Sequence, residues 1–308
     1  MKLFSIDSHK LNEVFKVAFF VFLIGIAGSV YQYTKNQGAI FATVPIEQQQ
    51  VVAGKNIQNI VVNGNTVDLN LMPGDSDQFI IQLHGNVSKH LQDDYELKVD
   101  TSNHSLNVST NQKDQMFMIG FHVSDVRLDI TVPQKMYERL TVDTATGDIA
   151  VQQLQAKHCV LSSDIGDITV RHLQGSELSL DTDTGSIDLR DFGSGDVAAS
   201  TNVGDVSLQG ISGKVTVDTE TGDVDLQMAE VQGEITVETD TGDVEVDISD
   251  LPAALQVDLS ASVGDTTVDL PGMSYRTNTD HGVKGEIGTG GPLLKVTSEI
   301  GDITVRNQ

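Results

Sequence analysis

A glycine returns at nearly constant spacing along the second half of this 308-residue chain, and that spacing constrains the fold more than any other feature. Gly147, Gly166, Gly185, Gly204, Gly222, Gly242, Gly264 and Gly301 each close one short alternating run and open the next, and Gly282 fits the series more loosely. The intervals along that series are 19, 19, 19, 18, 20, 22, 18 and 19 residues. A fixed period of about 20 residues marks a stacked repeat, in which one supersecondary unit recurs and buries its apolar face against its neighbours.

Within each unit, positions seven and five before the glycine and two and four after it are apolar in most copies. Leu140, Val142, Ile149 and Val151 form one such set. Period-two alternation on both sides of a tight corner gives two short strands that share a core. A second corner must close the unit, and Gly175, Gly193, Gly213, Gly233, Pro252, Gly272 and Gly291 stand where the chain has to turn back. Two strands and two corners per unit predict an all-β fold: a parallel two-sheet β-solenoid of about nine 19-residue rungs over residues 140–308. At about 4.8 Å per rung the body is roughly 40 Å long. The alternative is an antiparallel meander of hairpins, but a meander does not require every hairpin to repeat the same side-chain columns.

Residues 56–139 carry less regular alternating runs, at 57–62, 66–71, 79–83, 95–99, 105–109 and 126–132, with a turn at Pro73-Gly74-Asp75. They are expected to form an irregular N-terminal β cap that closes the first rung. Cys159 is the single cysteine, so neither a disulfide within the chain nor a cysteine metal cluster can form. Its inward position in the repeat predicts a buried, inert thiol.

The N-terminus reads differently. Residues 17–31 are uncharged and apolar, and Val14 and Phe15 extend the run if Lys16 snorkels. Lys2, Lys10 and Lys16 precede the run and only Lys35 follows closely, which predicts a cytoplasmic N-terminus over 1–13, a transmembrane helix over 14–33 and an extracytoplasmic remainder. A cleaved signal peptide ending near Ala27-Gly28-Ser29 is the rival, although the region before the apolar run is long and holds Asp7 and Glu13. Residues 34–55, polar and rich in Gln, are expected to be a spacer.

The net charge of −25 disfavours nucleic acid and anionic membrane surfaces and favours cationic partners such as metal ions and basic peptides. The acidic residues fall in columns. Asp148, Asp167, Asp205, Asp223, Asp243, Asp265 and Asp302 follow the glycine, with Ser186 and Val283 as exceptions. Asp164, Asp183, Glu220, Asp240, Asp280 and Glu299 stand two places before it. Stacked about 5 Å apart, such carboxylates repel by roughly 0.8 kcal/mol in water and about 3 kcal/mol at an effective dielectric of 20. They relieve that repulsion by capping the backbone, by splaying into solvent or by sharing calcium, and the seven aspartates after the glycine are the calcium candidates. Calcium-binding β-rolls use nonapeptide repeats with paired glycines, which this chain lacks.

Two further columns concern the corner. Thr144, Ser163, Thr182, Thr201, Thr219, Thr239, Thr279 and Ser298 stand three before the glycine, broken by Ala261, and are expected to bond and pack between rungs. Where Thr precedes the glycine (Thr146, Thr184, Thr221, Thr241), the residue three earlier is Asp143, Asp181, Asp218 or Glu238. Where Ile165, Val203, Val263 or Ile300 precedes it, the earlier residue is Ser162, Ser200, Ser260 or Thr297. The expectation is two corner chemistries, one with a hydroxyl–carboxylate hydrogen bond or shared hydration and one with an apolar cover.

The corner motifs TGDI, IGDI, TGSI, VGDV, TGDV and VGDT, set on strands such as LTVDTA and VTVDTE, resemble the bacterial β-strand-repeat family whose members are provisionally named adhesins. The resemblance covers about residues 57–308. Together with the apolar N-terminal run, it is similar to the Lia-type accessory proteins of cell-envelope stress systems. It implies an address and a fold and no mechanism.

The chain shows no nucleophile elbow, phosphate loop or dinucleotide fingerprint, and its histidines stand at no metal-ligand spacing. The carboxylates repeat without a distinguished pair, whereas glycoside hydrolysis needs two unequal ones in a cleft. The sequence therefore predicts a membrane-anchored, single-pass, extracytoplasmic binding or scaffold protein of the bacterial cell envelope, acting in envelope stress, and not an enzyme. A surface adhesin is the first alternative and a polysaccharide-active β-helix enzyme the second. The expected partners are the membrane, through the N-terminal helix, and envelope proteins or cationic ligands. No cofactor is expected beyond calcium.

Overall fold

Alternation on either side of each corner glycine places one strand of every rung in each of two facing sheets, and a computed structural model shows how the rungs stack. It describes residues 43–112, 124–193 and 195–307. In the N-terminal part lie β1 (Thr43–Ala53), β2 (Asn59–Asn63), β3 (Asp68–Gly74) and β4 (Gln78–Ser88). A 3-10 turn, Lys89–Leu91, leads to β5 (Tyr95–Ser102), β6 (Ser105–Gln112) and β7 (Ser124–Pro133). Each alternating run expected in the cap is a strand, and the turn expected at 73–75 starts slightly later, because Pro73 and Gly74 still pair with Val132 and Pro133.

The repeats then run as strand pairs around their glycines: β8 (Met136–Thr146) with β9 (Ile149–Gln152), and β10 (Gln155–Ile165) with β11 (Ile168–Arg171). Next come β12 (Glu177–Thr184) with β13 (Ile187–Gly193), and β14 (Asp196–Val203) with β15 (Val206–Ile211). They continue as β16 (Val215–Thr221) with β17 (Val224–Glu230), and β18 (Ile235–Thr241) with β19 (Val244–Asp250). The last elements are β20 (Leu255–Val263), β21 (Thr266–Asp269), β22 (Ser274–Thr279), β23 (Gly282–Ile287), β24 (Leu293–Ile300) and β25 (Ile303–Asn307).

Neighbouring rungs pair in parallel, for example β10 with β12 and β11 with β13, which excludes the meander. The twelve-stranded sheet runs β1-β4-β7-β3-β9-β11-β13-β15-β17-β19-β25-β21. The thirteen-stranded sheet runs β22-β23-β20-β24-β18-β16-β14-β12-β10-β8-β2-β6-β5. Between the sheets lies a continuous apolar core, and Leu140, Val142, Ile149 and Val151 are each at most 1% exposed. Cys159 is buried in it as expected, and burial pushes its thiol pKa far up, which keeps it protonated.

The two ends depart from simple stacking. The rung β24/β25 is inserted between β18/β19 and β20/β21, although it follows both in sequence. At the other end β2/β3 sits between β6/β7 and β8/β9, although it precedes both. Each end of the repeat body is thus closed by a rung that brackets an intercalated one.

Three expectations need correcting. The stretch 34–55 is not all spacer, because residues 43–53 form β1, which pairs antiparallel with β4 along its whole length. Gly282 is no corner glycine: it opens β23, which runs antiparallel to β20 as part of a β22–β23 hairpin outside the rungs. Thr279, Asp280 and Val283 therefore leave their supposed columns. The expected transmembrane helix at 14–33 lies outside the described residues. Among the described residues no helix is long and apolar enough to cross a membrane.

Candidate functional site

Repetition builds a ridge of corners along one side of the solenoid. Its axis is the glycine column. Each corner glycine except Gly282 has φ between +139° and +157°, a region that costs a side-chain-bearing residue dearly. Its missing Cβ faces the carbonyl of the preceding rung: a Cβ on Gly166 would lie 2.1 Å from Gly147 O, and one on Gly301 would lie 2.0 Å from Gly242 O. The chain of contacts runs through 147, 166, 185, 204, 222, 242, 301 and then 264, which restates the intercalation in the corners themselves.

The aspartates that follow the glycine form a ladder. Asp167 N–H donates to Asp148 Oδ1 at 2.9 Å, Asp223 N–H to Asp205 Oδ1 at 2.9 Å and Asp243 N–H to Asp223 Oδ1 at 2.9 Å. Past the insertion, Asp302 N–H donates to Asp243 Oδ1 and Asp265 N–H to Asp302 Oδ1, both at 2.8 Å. Ser186 accepts from Asp205 N–H through its hydroxyl, and Asp68 supplies the acceptor for Asp148 N–H. So the structure brings all seven calcium candidates into one column and gives six of their carboxylates an acceptor role toward the next rung's backbone. A carboxylate meets this demand because it is short enough to reach the neighbouring amide and is always an acceptor when ionised. Among the described residues no group of three or more His, Cys, Asp or Glu is placed to hold a metal ion.

This geometry separates a backbone role from a metal role. Asp223→Asn keeps an acceptor oxygen for Asp243 N–H and removes one repelling charge, so stability should be unchanged or rise by up to about 1 kcal/mol. Asp223→Ala removes the acceptor and should cost about 1 kcal/mol. Thermal unfolding of both variants with calcium and with chelator checks this, and a calcium-dependent gain in the parent that the Asn variant loses would assign the column to metal instead.

Behind the aspartates the Thr/Ser column is buried, as expected. Ser163 Oγ donates to Gly147 O at 3.1 Å, Thr182 Oγ1 to Gly166 O at 3.0 Å and Thr201 Oγ1 to Gly185 O at 3.0 Å. Ser298 Oγ reaches Gly242 O at 3.3 Å across the insertion. The hydroxyls of Thr219 and Thr239, in the rungs of altered length, find no partner among the described residues.

The column just before the glycine lies on the outside of the ridge. Stacked in spatial order it reads Thr146, Ile165, Thr184, Val203, Thr221, Thr241, Ile300 and Val263. The four apolar members are 51–63% exposed. They are therefore not a cover, and no hydrogen bond joins the four threonines to their acidic partners among the described residues. What the sequence shows as two corner chemistries is an alternation over the first five members of one column: Asp143, Ser162, Asp181, Ser200 and Asp218 follow one another, so hydroxyls space the charges there, until Glu238 stacks directly on Asp218. Asp181 has its carboxyl pKa raised, first by burial and then by Asp183.

Beside the ridge, on the twelve-stranded sheet, an open groove of about 530 Å³ is lined by Asp223, Asp225, Asp243, Glu245, Asp302 and Arg306 among others. Arg306 answers part of this charge, pairing with Glu245 and, at 2.6 Å, with buried Asp247. Among the described residues the histidines do not converge: His84 meets Asp129 at 2.7 Å, His158 meets Glu177 at 2.9 Å and His172 meets Asp191 at 2.9 Å, each pair apart from the others.

At the opposite corner the structure shows a column that sequence reasoning missed. Gln153, His172 and Asp191 have φ of 50°, 55° and 62°, and Gly210, next in register, has 70°. Each turns the following residue (Leu154, Leu173, Phe192 or Ile211) into the core, where all are at most 4% exposed. The apolar residue seven places after Gly147, Gly166, Gly185 and Gly204 was the available signal.

Fold and ridge together define a capped, parallel, two-sheet β-solenoid. The chain belongs to the Toastrack DUF4097 family, whose profile matches residues 57–306. No curated protein matches it significantly. Among solved structures it is similar to a provisionally named cell adhesion protein from Clostridium sporogenes, with 15% identity, 86% of this chain and 100% of that one covered, and a TM-score of 0.28. A provisionally named adhesin from Bacteroides fragilis gives 15%, 85%, 97% and 0.38 for the same quantities. A provisionally named lipid-binding protein from Parabacteroides distasonis gives 11%, 85%, 96% and 0.36. Likeness at this level carries no statement about function.

Proposed function

We propose that this chain is an extracytoplasmic binding or scaffold module of the bacterial cell envelope, held at the membrane by its N-terminal apolar run and serving the envelope stress response without catalysing a reaction. The observation that supports it is the ridge: an array in which exposed Ile165, Val203, Ile300 and Val263 stand beside the aspartate column, with Asp164 and Glu299 adding carboxylates on the other side of Ile165 and Ile300. Such a surface suits an extended cationic partner with apolar side chains, because the charges steer the approach and the apolar positions supply contact area. The charge is concentrated where the ridge is, since residues 140–308 hold thirty Asp and Glu against eight Lys and Arg.

Crosslinking along the ridge in intact cells, followed by identification of what is captured, tests the reading. Capture of basic envelope proteins by the parent but not by a variant with Ile165, Val203 and Ile300 changed to Ser supports it. Equal capture by both overturns the ridge as the binding surface. Recovery of the chain in the soluble fraction rather than with membranes overturns the anchor. Turnover of an envelope polysaccharide that one carboxylate pair abolishes would replace the module with an enzyme.

A further inference from the structure

We infer that the outer edge of β1 is a self-association site, through which two copies of this chain join antiparallel and extend the twelve-stranded sheet across a two-fold axis. An open two-sheet body has four edge strands, and three carry devices against pairing. On β5 outward groups of Tyr95 and Leu97 are occupied: Gln48 donates to Tyr95 O at 2.8 Å and accepts from Leu97 N–H at 2.9 Å, and Gln50 donates to Leu97 O at 3.4 Å. The edge strand β21 is four residues long and is flanked by Asp265 and ended by Asp269. On β22 a bulge between Tyr275 and Thr277 interrupts the register, and Arg276 sits within it. Short strands, bulges and edge charges are the usual protections of an open sheet.

The edge of β1 has none of these over its second half. It is eleven residues long and pairs without interruption to β4. Gly54 N–H donates to Asp77 O at 2.8 Å, so the even-numbered residues of β1 turn their backbone groups to β4 and the odd-numbered ones turn theirs outward. Pro45 falls on the outward set, where its lack of an N–H is tolerated. Beyond it the outward backbone groups, without a partner among the described residues, belong to Glu47, Gln49, Val51 and Ala53, with Val51 52% exposed.

A second copy fits this edge in one register. An antiparallel pair about a two-fold axis at Gln50 sets Glu47 opposite Ala53 and Gln49 opposite Val51, so all four outward residues bond and Pro45 stays outside. Glu47, the only charged residue on the strand, then faces an alanine. Charge distribution selects the same end of the molecule, because residues 43–139 hold twelve acidic residues against seven basic ones while the repeats carry far more. Joining the caps keeps the strongly acidic bodies apart.

The test uses the full chain with single cysteines. In the inferred register Gln50 faces Gln50 of the second copy as a non-hydrogen-bonded pair, whose Cα separation of about 4.5 Å falls in the range a disulfide spans. Cys159 is buried and does not compete. Under mild oxidation Gln50→Cys should form a disulfide-linked dimer at least about tenfold faster than Gln48→Cys or Thr277→Cys, which have no cysteine opposite them. Adding Val51→Pro, which removes an outward donor, should bring the rate down to that of the controls. Equal rates for Gln50→Cys, Gln48→Cys and Thr277→Cys, or a Gln50→Cys rate untouched by Val51→Pro, would overturn the inference. This site is independent of the ridge, so failure of either leaves the other standing.

Discussion

Gly222→Ala is expected to destabilise the repeat body by at least about 4 kcal/mol, the range that only a backbone clash or a comparable core defect reaches. The added Cβ would lie 2.0 Å from Gly204 O and 2.5 Å from its carbonyl carbon. No rotamer change relieves a collision with backbone, so two rungs must part. Parting them breaks Gly204 N–H to Thr221 O at 2.9 Å and Asp223 N–H to Asp205 Oδ1 at 2.9 Å. The φ of +153° adds a cost of its own, about 1–3 kcal/mol. Gly193→Ala is the matched control: its φ is +83°, but nothing lies within 4 Å of the added Cβ. It should cost about 1–2 kcal/mol from the backbone alone. Denaturant unfolding of the two variants measures the difference, and equal losses would mean that the glycine column serves backbone conformation and not close approach.

Truncation before Leu293 should have the second-largest effect. It removes β24 and β25, which separate β18/β19 from β20/β21. The question is whether β20/β21 then reseats directly on β18/β19, since its corner glycine and most of its apolar positions match. One position opposes it. In the intact protein Asp247 pairs with Arg306, and Arg306 in turn lies in register with Asp269. Reseating would place Asp269 against Asp247, which is only 5% exposed, with the arginine gone. Setting a second carboxylate against a buried one with no cation between them is unfavourable. Residues 255–287 should therefore lose hydrogen-exchange protection while residues 140–230 keep theirs, because a stacked repeat passes stability only between neighbours. Retained protection over 255–287 would show that the rungs are interchangeable despite that pair.

The corner chemistry was largely legible in the sequence. The glycine interval, the inward apolar positions, the Asp column and the Thr/Ser column are each fixed by a local demand that one residue type meets, and a repeat displays that demand many times. The order of the rungs was not legible, for the same reason. Every rung presents the same columns, so nothing in the sequence tells Gly242 that its spatial neighbour is Gly301 and not Gly264. Gly282 stands at rung spacing by position while serving a hairpin. At the far corner Gln153, His172 and Asp191 hid the left-handed column because none of them is a glycine. The polar run Gln48-Gln49-Gln50 read as spacer, yet two of its side chains occupy the edge of the opposite sheet, a long-range use that no local pattern announces.

The intercalation at both ends also bears on how such a protein can change length over evolutionary time. Between β8/β9 and β18/β19 consecutive rungs stack in sequence order, so duplicating or deleting one period between them leaves every column continuous. At either end the same event would change the spacing between segments that meet across an insertion. Growth and shrinkage are thereby channelled into the middle of the chain, and the two ends behave as fixed modules between which the number of rungs is free to vary.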